Sequence, residues 1–299
     1  MGMITPNELH RLVKLAMDTG EAESLEHAER IFAGYRIGVA VGREIQWSWS
    51  HQAALLTFLQ LASRVFLGGV YVNIPAEVVV PNFIAENLSI TQTMNRLGVH
   101  HAEYFEPNIP VVAIGTAAVP QDTSFAVQAV FSGWRAGIVP AGATPPFEFE
   151  TEFPLSAILA AALAVNEAFL FVRQDTPEAG LREVGLSIWE PNAIDDWAAA
   201  CNDGPKIDYL PTKLWLLGLG HLGQAYLWTL LLLPYERPNE VSLVLQDIDV
   251  ITTSTLSTSV LSDPSMIGVK KTRALADVSA VQLGAVAAAE ALRRAKTAP

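Results

Sequence analysis

Apolar residues gather in short blocks in the first two thirds of the chain, and these blocks predict alternating strands and helices. The runs short enough for strands lie at 36–41, 69–74, 111–114, 125–131 and 184–189. Longer apolar stretches at 50–66 and 154–172 predict buried helices, the first with Ser50 as N-cap. A strand, a helix and a strand in that order are typical of a parallel pair joined by a crossover helix.

Two further segments of this region are predicted to form a helical arm and a loop. Apolar positions recur at helical spacing among acidic residues over 6–34, which predicts a helical arm. Residues 133–153 are rich in Gly, Pro and aromatic side chains, and we expect a loop there. The stretch before residue 205 is typical of a connector, so we expect an N-terminal α/β region over 1–205 and a second domain over 206–299.

The second domain opens with a strand, a glycine turn and a helix. An apolar run at Lys213–Leu217 is followed by GLGHLG at 218–223, a buried-looking helix over 224–233 and a second apolar strand at 241–246. This is the context that a dinucleotide-binding glycine motif requires. We therefore predict that residues 213–246 form a Rossmann-like strand–helix–strand unit with the two strands parallel.

Each glycine of the motif is required for a different physical reason. Gly218 permits the tight turn, Gly220 lets the backbone approach a phosphate, and Gly223 lets the helix pack close to the strand. The amides at the helix N-terminus favour a bound anion. Asp247 ends the second strand, 24 residues after Gly223 (247 − 223), close to the spacing expected for an acid that holds a ribose. The unit is therefore predicted to bind a nucleotide.

Composition and charge narrow the class of protein. Hydrophobic residues make up 51% of the 299 residues and charged residues 17%, so much of the surface should be buried in the chain or at an interface. The net charge of −12 argues against nucleic acid as a partner. One cysteine, Cys201, allows neither an internal disulfide nor a cysteine-based metal site. The N-terminus shows no signal peptide, and we expect a cytoplasmic protein.

One helix is nearly long enough to cross a membrane. The stretch 154–172 holds Asn166 and Glu167 in its interior, and charged or amide side chains are costly in lipid. We therefore expect a buried helix of an α/β protein and no membrane association.

The acidic segment after the second strand carries a resemblance. It reads DIDVITTSTLS from Asp247, and Gly268 and Lys271 follow in a G-x-x-K pattern. With matches at Asp247, Asp249, Ser254 and Leu256, the segment resembles that of the ThiF/MoeB/ubiquitin-activating superfamily of adenylating enzymes. The resemblance covers about 60 residues, from 213 to 273.

The resemblance implies an activity, a cofactor and a partner. It implies binding of ATP with magnesium and adenylation of the C-terminus of a ubiquitin-like or sulfur-carrier protein. Carried over by position, Asp247 would hold the ribose and Lys271 would contact the phosphates as the catalytic cation. The binding residues expected are Gly218, Gly220, His221, Gly223, Asp247, Asp249 and Lys271, and none is expected to hold a metal of the protein's own. A homodimer is the expected assembly.

Three positions depart from the family pattern and leave alternatives open. Thr255, Thr258 and Ser259 stand where the family has Asn, Arg and Gln, and the 28 residues after Lys271 (299 − 271) offer no further strand with an acidic loop. One alternative is a catalytically inactive ThiF-like scaffold or binding subunit, and another is an NAD-dependent oxidoreductase with NAD as cofactor. The N-terminal region is expected to be a degenerate second copy of the C-terminal unit.

Overall fold

The protein is an α/β molecule with two compact units. The structure is a computed structural model that describes residues 10–75, 88–120 and 122–297. One unit comprises 35–75 and 88–208 of these residues, and the other comprises 10–34 and 209–297. The predicted helical arm therefore groups with the C-terminal unit, and its residues 6–9 lie outside the described part.

The larger unit is built on a seven-stranded sheet. Its strands are β1 (Arg36–Val41), β2 (Gly69–Asn73), β3 (His100–His101), β4 (Val111–Ile114), β5 (Ala126–Ser132), β6 (Arg135–Pro140) and β7 (Val184–Ser187). They lie in the order β3-β2-β1-β4-β5-β6-β7. Pairing is parallel from β3 to β5, whereas β6 and β7 are antiparallel. The predicted parallel pair of 36–41 and 69–74 is confirmed, with Val39 opposite Val72.

Two long apolar helices pack against each other and against this sheet. They are α3 (Trp49–Val65) and α5 (Pro154–Arg173). The short helix α4 (Ile90–Arg96) lies between them in the sequence, and α1 (Arg11–Asp18) and α2 (Leu25–Ala33) form the N-terminal arm. Helix α5 is long and apolar enough to cross a membrane, by length and composition alone. Its Glu167 is 1% exposed and pairs with Arg182, and the helix packs on β5 and β6.

Two sequence predictions for this unit are wrong. The stretch 133–153 was expected to be a loop, but Arg135–Pro140 forms β6, which pairs with β5 through a two-residue turn with Gly133 at φ 55°. The N-cap of α3 is Ser48, whose hydroxyl accepts from the His51 amide, and not Ser50, which lies in the first turn.

The second unit contains the glycine loop. Its elements are α1 (Arg11–Asp18), α2 (Leu25–Ala33), β8 (Lys213–Leu217), α6 (His221–Leu231), β9 (Ser242–Gln246), α7 (Thr253–Leu256) and α8 (Lys271–Thr297). Strands β8 and β9 pair in parallel, with Trp215 opposite Val244, so the predicted strand–helix–strand unit is confirmed. The arm is two short helices, and the Arg11 amide donates to Ser257 Oγ at 3.1 Å.

The β8–β9 pair has one covered and one exposed face. Four half-buried leucines alternate with more exposed residues along the two strands, and α6 and α8 pack against the pair. The four are Leu214, Leu216, Leu243 and Leu245. Trp215, Leu217 and Val244 on the alternate positions are exposed. Parallel strands are usually covered on both faces, so this apolar face is an unusual feature of the unit.

Candidate functional site

The glycine loop joins β8 to α6 in the geometry that its sequence predicts. Gly218 follows the strand with φ 84°, a left-handed conformation that favours glycine, and its amide donates to the Gln246 carbonyl of β9 at 2.8 Å. Gly220 is the N-cap of α6, and none of the described side chains caps that helix end. The amides of the first turn therefore have no capping side chain in the described part of the chain, which is the arrangement that binds phosphates.

The glycines of the loop have different steric roles. A Cβ on Gly223 would overlap the Gly218 carbonyl oxygen, so a glycine is needed there for the turn to close. A Cβ on Gly220 would meet nothing within 4 Å. The space in front of Gly220 is therefore open, as close approach of a phosphate requires.

Asp247 supports this loop from the end of β9. Its Oδ2 accepts from the Leu219 amide at 2.6 Å, and its Oδ1 accepts from the Asp249 amide at 2.8 Å. The carboxylate therefore joins the glycine loop to the acidic segment, with each oxygen already accepting one hydrogen bond. The proposed ribose contact of Asp247 stays a prediction, and it would have to use the remaining lone pairs.

The pKa of Asp247 is lowered below its ordinary value. Burial of the carboxyl group alone would raise the pKa, but the amide hydrogen bonds from Asp249 and Leu219 and the charge of Lys271 together outweigh that effect. The group is therefore ionised at neutral pH and holds the loop as a charged acceptor.

Lys271 lies beside both acidic residues. It is the first residue of α8, its side chain is 10% exposed, and its Nζ lies 2.9 Å from Asp249 Oδ2 and 4.0 Å from Asp247 Oδ2. Its amide also donates to the Asp249 carbonyl at 3.1 Å. The fold thus gathers Asp247, Asp249 and Lys271 beside the glycine loop. Their role in binding a nucleotide stays a prediction.

The structure also describes the other residues that the sequence singled out. His221 is the exposed first residue of α6. Thr255 forms a capping box with Thr252 at the start of α7, and Thr258 is exposed. Neither threonine carries a positive charge, so the segment offers nothing equivalent to the family's arginine at position 258.

Sequence reasoning missed one residue of the site. Gln224 is fully buried in the first turns of α6, where its amide group donates to the Leu219 carbonyl and accepts from the Leu261 amide and Ser262 Oγ. It fixes the loop to the segment before α8. A buried amide side chain directly after a glycine motif, in an otherwise apolar helix, was the signal that could have revealed it.

Comparisons with known proteins place this site in a family. The BilD N-terminal domain family matches residues 36–188, and the BilD C-terminal domain family matches residues 210–291. The bacterial E1-like protein BilD of Collimonas sp. (strain OK412) is 37% identical over 269 residues, which are 90% of this chain and 58% of that protein. The chain thus spans less than two thirds of that relative's length.

A solved structure is also similar in part. A crystal structure of E. coli MccB with succinimide shares 9% identity at a TM-score of 0.34, covering 54% of this chain and 63% of that one. The resemblance noted in the acidic segment agrees with the relative's E1-like name. Because the two domain matches together cover most of the sequence, the chain belongs to the BilD family.

Proposed function

We propose that this chain binds ATP with magnesium at the 218–223 loop and takes part in adenylating the C-terminus of a ubiquitin-like or sulfur-carrier protein. The observation that carries the proposal is the convergence of three features on one loop. They are an uncapped helix N-terminus at Gly220, a carboxylate that fixes the loop, and the nearly buried cation of Lys271.

The residues present fit a nucleotide with its metal. The open space at Gly220 and the free amides of α6 suit phosphate oxygens. Asp249 is 63% exposed and would be the carboxylate of this chain closest to a magnesium ion carried by the phosphates. Lys271 would exchange part of its pairing with Asp249 for the phosphates, because its Nζ is already positioned at the loop.

Charge placement explains what Lys271 would contribute. In adenylation a carboxylate attacks the α-phosphate and pyrophosphate leaves, so negative charge builds on the departing phosphates. A fixed cation stabilises that charge without having to reorganise. Thr258 cannot supply a second charge, and removal of one such group typically costs about 10²–10³ in rate. We therefore expect ATP binding to be retained better than turnover.

Nucleotide titration of three proteins tests the binding part. Wild type, Lys271→Met and Lys270→Met are titrated with Mg-ATP and with NAD by calorimetry. Lys270 is the matched control, because it is the adjacent lysine but exposed, with its Nζ on the Ile248 carbonyl at 2.5 Å. We expect ATP affinity to fall at least tenfold in Lys271→Met and to change little in Lys270→Met.

ATP–pyrophosphate exchange with candidate carrier proteins tests the chemistry. Exchange that depends on the carrier and on Lys271 would support adenylation. Binding of ATP without exchange would favour the catalytically inactive binding subunit, which the uncharged Thr258 makes the second candidate. Tight NAD binding without ATP binding would overturn the proposal in favour of an oxidoreductase. The expected homodimer stays a prediction that sedimentation would check.

A further inference from the structure

The large sheet has a point at which ligands usually bind in open α/β folds. From β1 the chain proceeds to β2 and β3 on one side, whereas β4 and β5 lie on the other side. The crevice between the carboxyl ends of β1 and β4 is therefore the topological switch point. Gly42 follows β1 there and Gly115, with φ 78°, follows β4.

The carboxylate of Glu44 fills this crevice. Both of its oxygens lie 3.1 Å from the Thr116 amide, and Oε1 also accepts from the Thr116 hydroxyl. A Cβ built on either Gly42 or Gly115 would overlap Glu44 Oε2. The two glycines thus form a cradle whose space is taken by an oxyanion that belongs to the chain itself.

The helix that begins at this crevice is capped by further groups of the chain. In the first turn of α3, the His51 amide donates to Ser48 Oγ at 3.2 Å and the Ser50 amide donates to Glu152 Oε2 at 2.8 Å. This is the opposite of α6, whose N-terminus has no side-chain cap. The amides of α3 that an external phosphate would use already have acceptors.

We propose that Glu44 is an internal ligand of this switch point: its carboxylate occupies the place of an external oxyanion and closes the larger unit to phosphates and nucleotides. The inference does not depend on the proposed adenylation, because it concerns contacts within the larger unit alone.

The charges at the crevice agree with this assignment. A phosphate that approached would meet the carboxylates of Glu44 and Glu152, both of which act on the His51 ring. Burial of the His51 ring lowers its pKa, although both carboxylates oppose the effect, so the ring is neutral at neutral pH. His51 therefore adds no positive charge that would draw in an anion.

Chemical rescue tests the proposal on the full-length chain. Glu44→Ala removes the internal carboxylate and leaves a cavity that formate can fill, whereas Glu44→Gln keeps the cavity filled. Glu103→Ala removes an exposed carboxylate of the same unit as a control. Thermal unfolding is measured in sodium formate and in sodium chloride of equal ionic strength. Formate bound at the 218–223 loop would change the Tm of the wild type and of the three variants equally, so this effect cancels when their Tm changes are compared.

We expect formate to raise the Tm of Glu44→Ala specifically. A tenfold gain in its folding equilibrium corresponds to a rise of about 4 °C for a unit of this size. Wild type, Glu44→Gln and Glu103→Ala should show no comparable rise. Equal responses of Glu44→Ala and wild type would overturn the proposal.

A second measurement uses the wild-type protein and needs no folded variant. Hydrogen exchange of the 114–117 backbone is followed with and without inorganic phosphate. We expect no change, because the Thr116 amide is already occupied by Glu44. Slower exchange at Thr116 in phosphate would show that the crevice accepts an external anion, and the proposal would be wrong.

Discussion

Replacement of Asp247 by asparagine should loosen the glycine loop, and the structure allows the effect to be estimated. The carboxylate accepts two backbone hydrogen bonds, from Leu219 at 2.6 Å and from Asp249 at 2.8 Å. A hydrogen bond to a charged group contributes about 1.5–3 kcal/mol. Asparagine has one acceptor oxygen, so its NH₂ group would face one of the two amides. One hydrogen bond to the carboxylate would be lost and the other would be weakened, because its acceptor is no longer charged. Together these changes should lower the local stability of the loop by about 3 kcal/mol.

Asp249→Asn is the matched control for this change. Asp249 is acidic, lies two residues away and pairs with the same lysine, but it is 63% exposed. Exposed ion pairs contribute about 0–1 kcal/mol. The comparison therefore separates support of the loop from the general loss of a negative charge near Lys271.

Amide hydrogen exchange of the peptide containing Leu219 is the assay. A loss of about 3 kcal/mol corresponds to local opening that is more than roughly 100-fold more frequent, whereas the control should change exchange by about fivefold or less. Equal effects of the two substitutions would refute the reasoning. They would mean that the loop is held by the Gly218–Gln246 backbone bond and not by Asp247.

The same hydrogen bonds predict a dependence on pH in the wild-type protein. Because the folded-state pKa of Asp247 is lowered from its ordinary value of 3.8, its contribution to stability is fully present above that value. It is lost as the pH falls through the lower folded-state pKa. Protection of the Leu219 amide should therefore be constant from neutral pH to about 5 and decline below pH 4. In Asp247→Asn this part of the decline should be absent.

Four further substitutions test other parts of the structure. Gly220→Ala should keep the fold and lower ATP affinity at least tenfold in calorimetry, whereas Gly223→Ala should unfold the loop, because its Cβ would overlap the Gly218 carbonyl. The free energy of unfolding of Tyr235→Phe in urea should equal that of the wild type or exceed it by up to about 1 kcal/mol. The reason is that the buried Tyr235 hydroxyl has no partner in the described part of the chain, and burial raises its pKa to about 12. Arg182→Ala should lower the free energy of unfolding by about 2 kcal/mol, because among the described residues it leaves the buried Glu167 carboxylate with the Gly180 amide at 3.4 Å as its partner. A loss below about 0.5 kcal/mol in urea unfolding would contradict that account.

The strand–loop–helix–strand unit could be predicted because its signals are local. Apolar periodicity marks β8 and β9, and the glycines at 218 and 223 are required by backbone geometry within the loop itself. The position of Asp247 at the end of β9 follows from strand length. The direction of its carboxylate does not, because its acceptor role depends on where the loop turns back in three dimensions.

The wrong predictions have equally specific causes. Strand β6 is short, contains Gly137 and ends in Pro140, so composition pointed to a loop. Gly133 at the first position of a two-residue turn was the hairpin signal that composition obscured. In the W-S-W-S stretch two serines were equally good caps by residue type. The turn at Arg43–Gln46 decides between them by placing Ser48 at the start of the helix.

The two units show why a shared arrangement does not imply a shared ligand. In each unit an acidic side chain accepts from a loop amide at the end of a strand: Asp247 from Leu219, and Glu44 from Thr116. Asp247 accepts from Leu219, which precedes the N-cap of α6, and within the described residues no side chain caps that helix. Glu44 lies inside its crevice, and α3 has its own caps. An anion site requires free donors as well as a suitable fold. The capping of the two helices, more than the strand order, therefore favours the 218–223 loop over the crevice at Glu44 as the proposed nucleotide site.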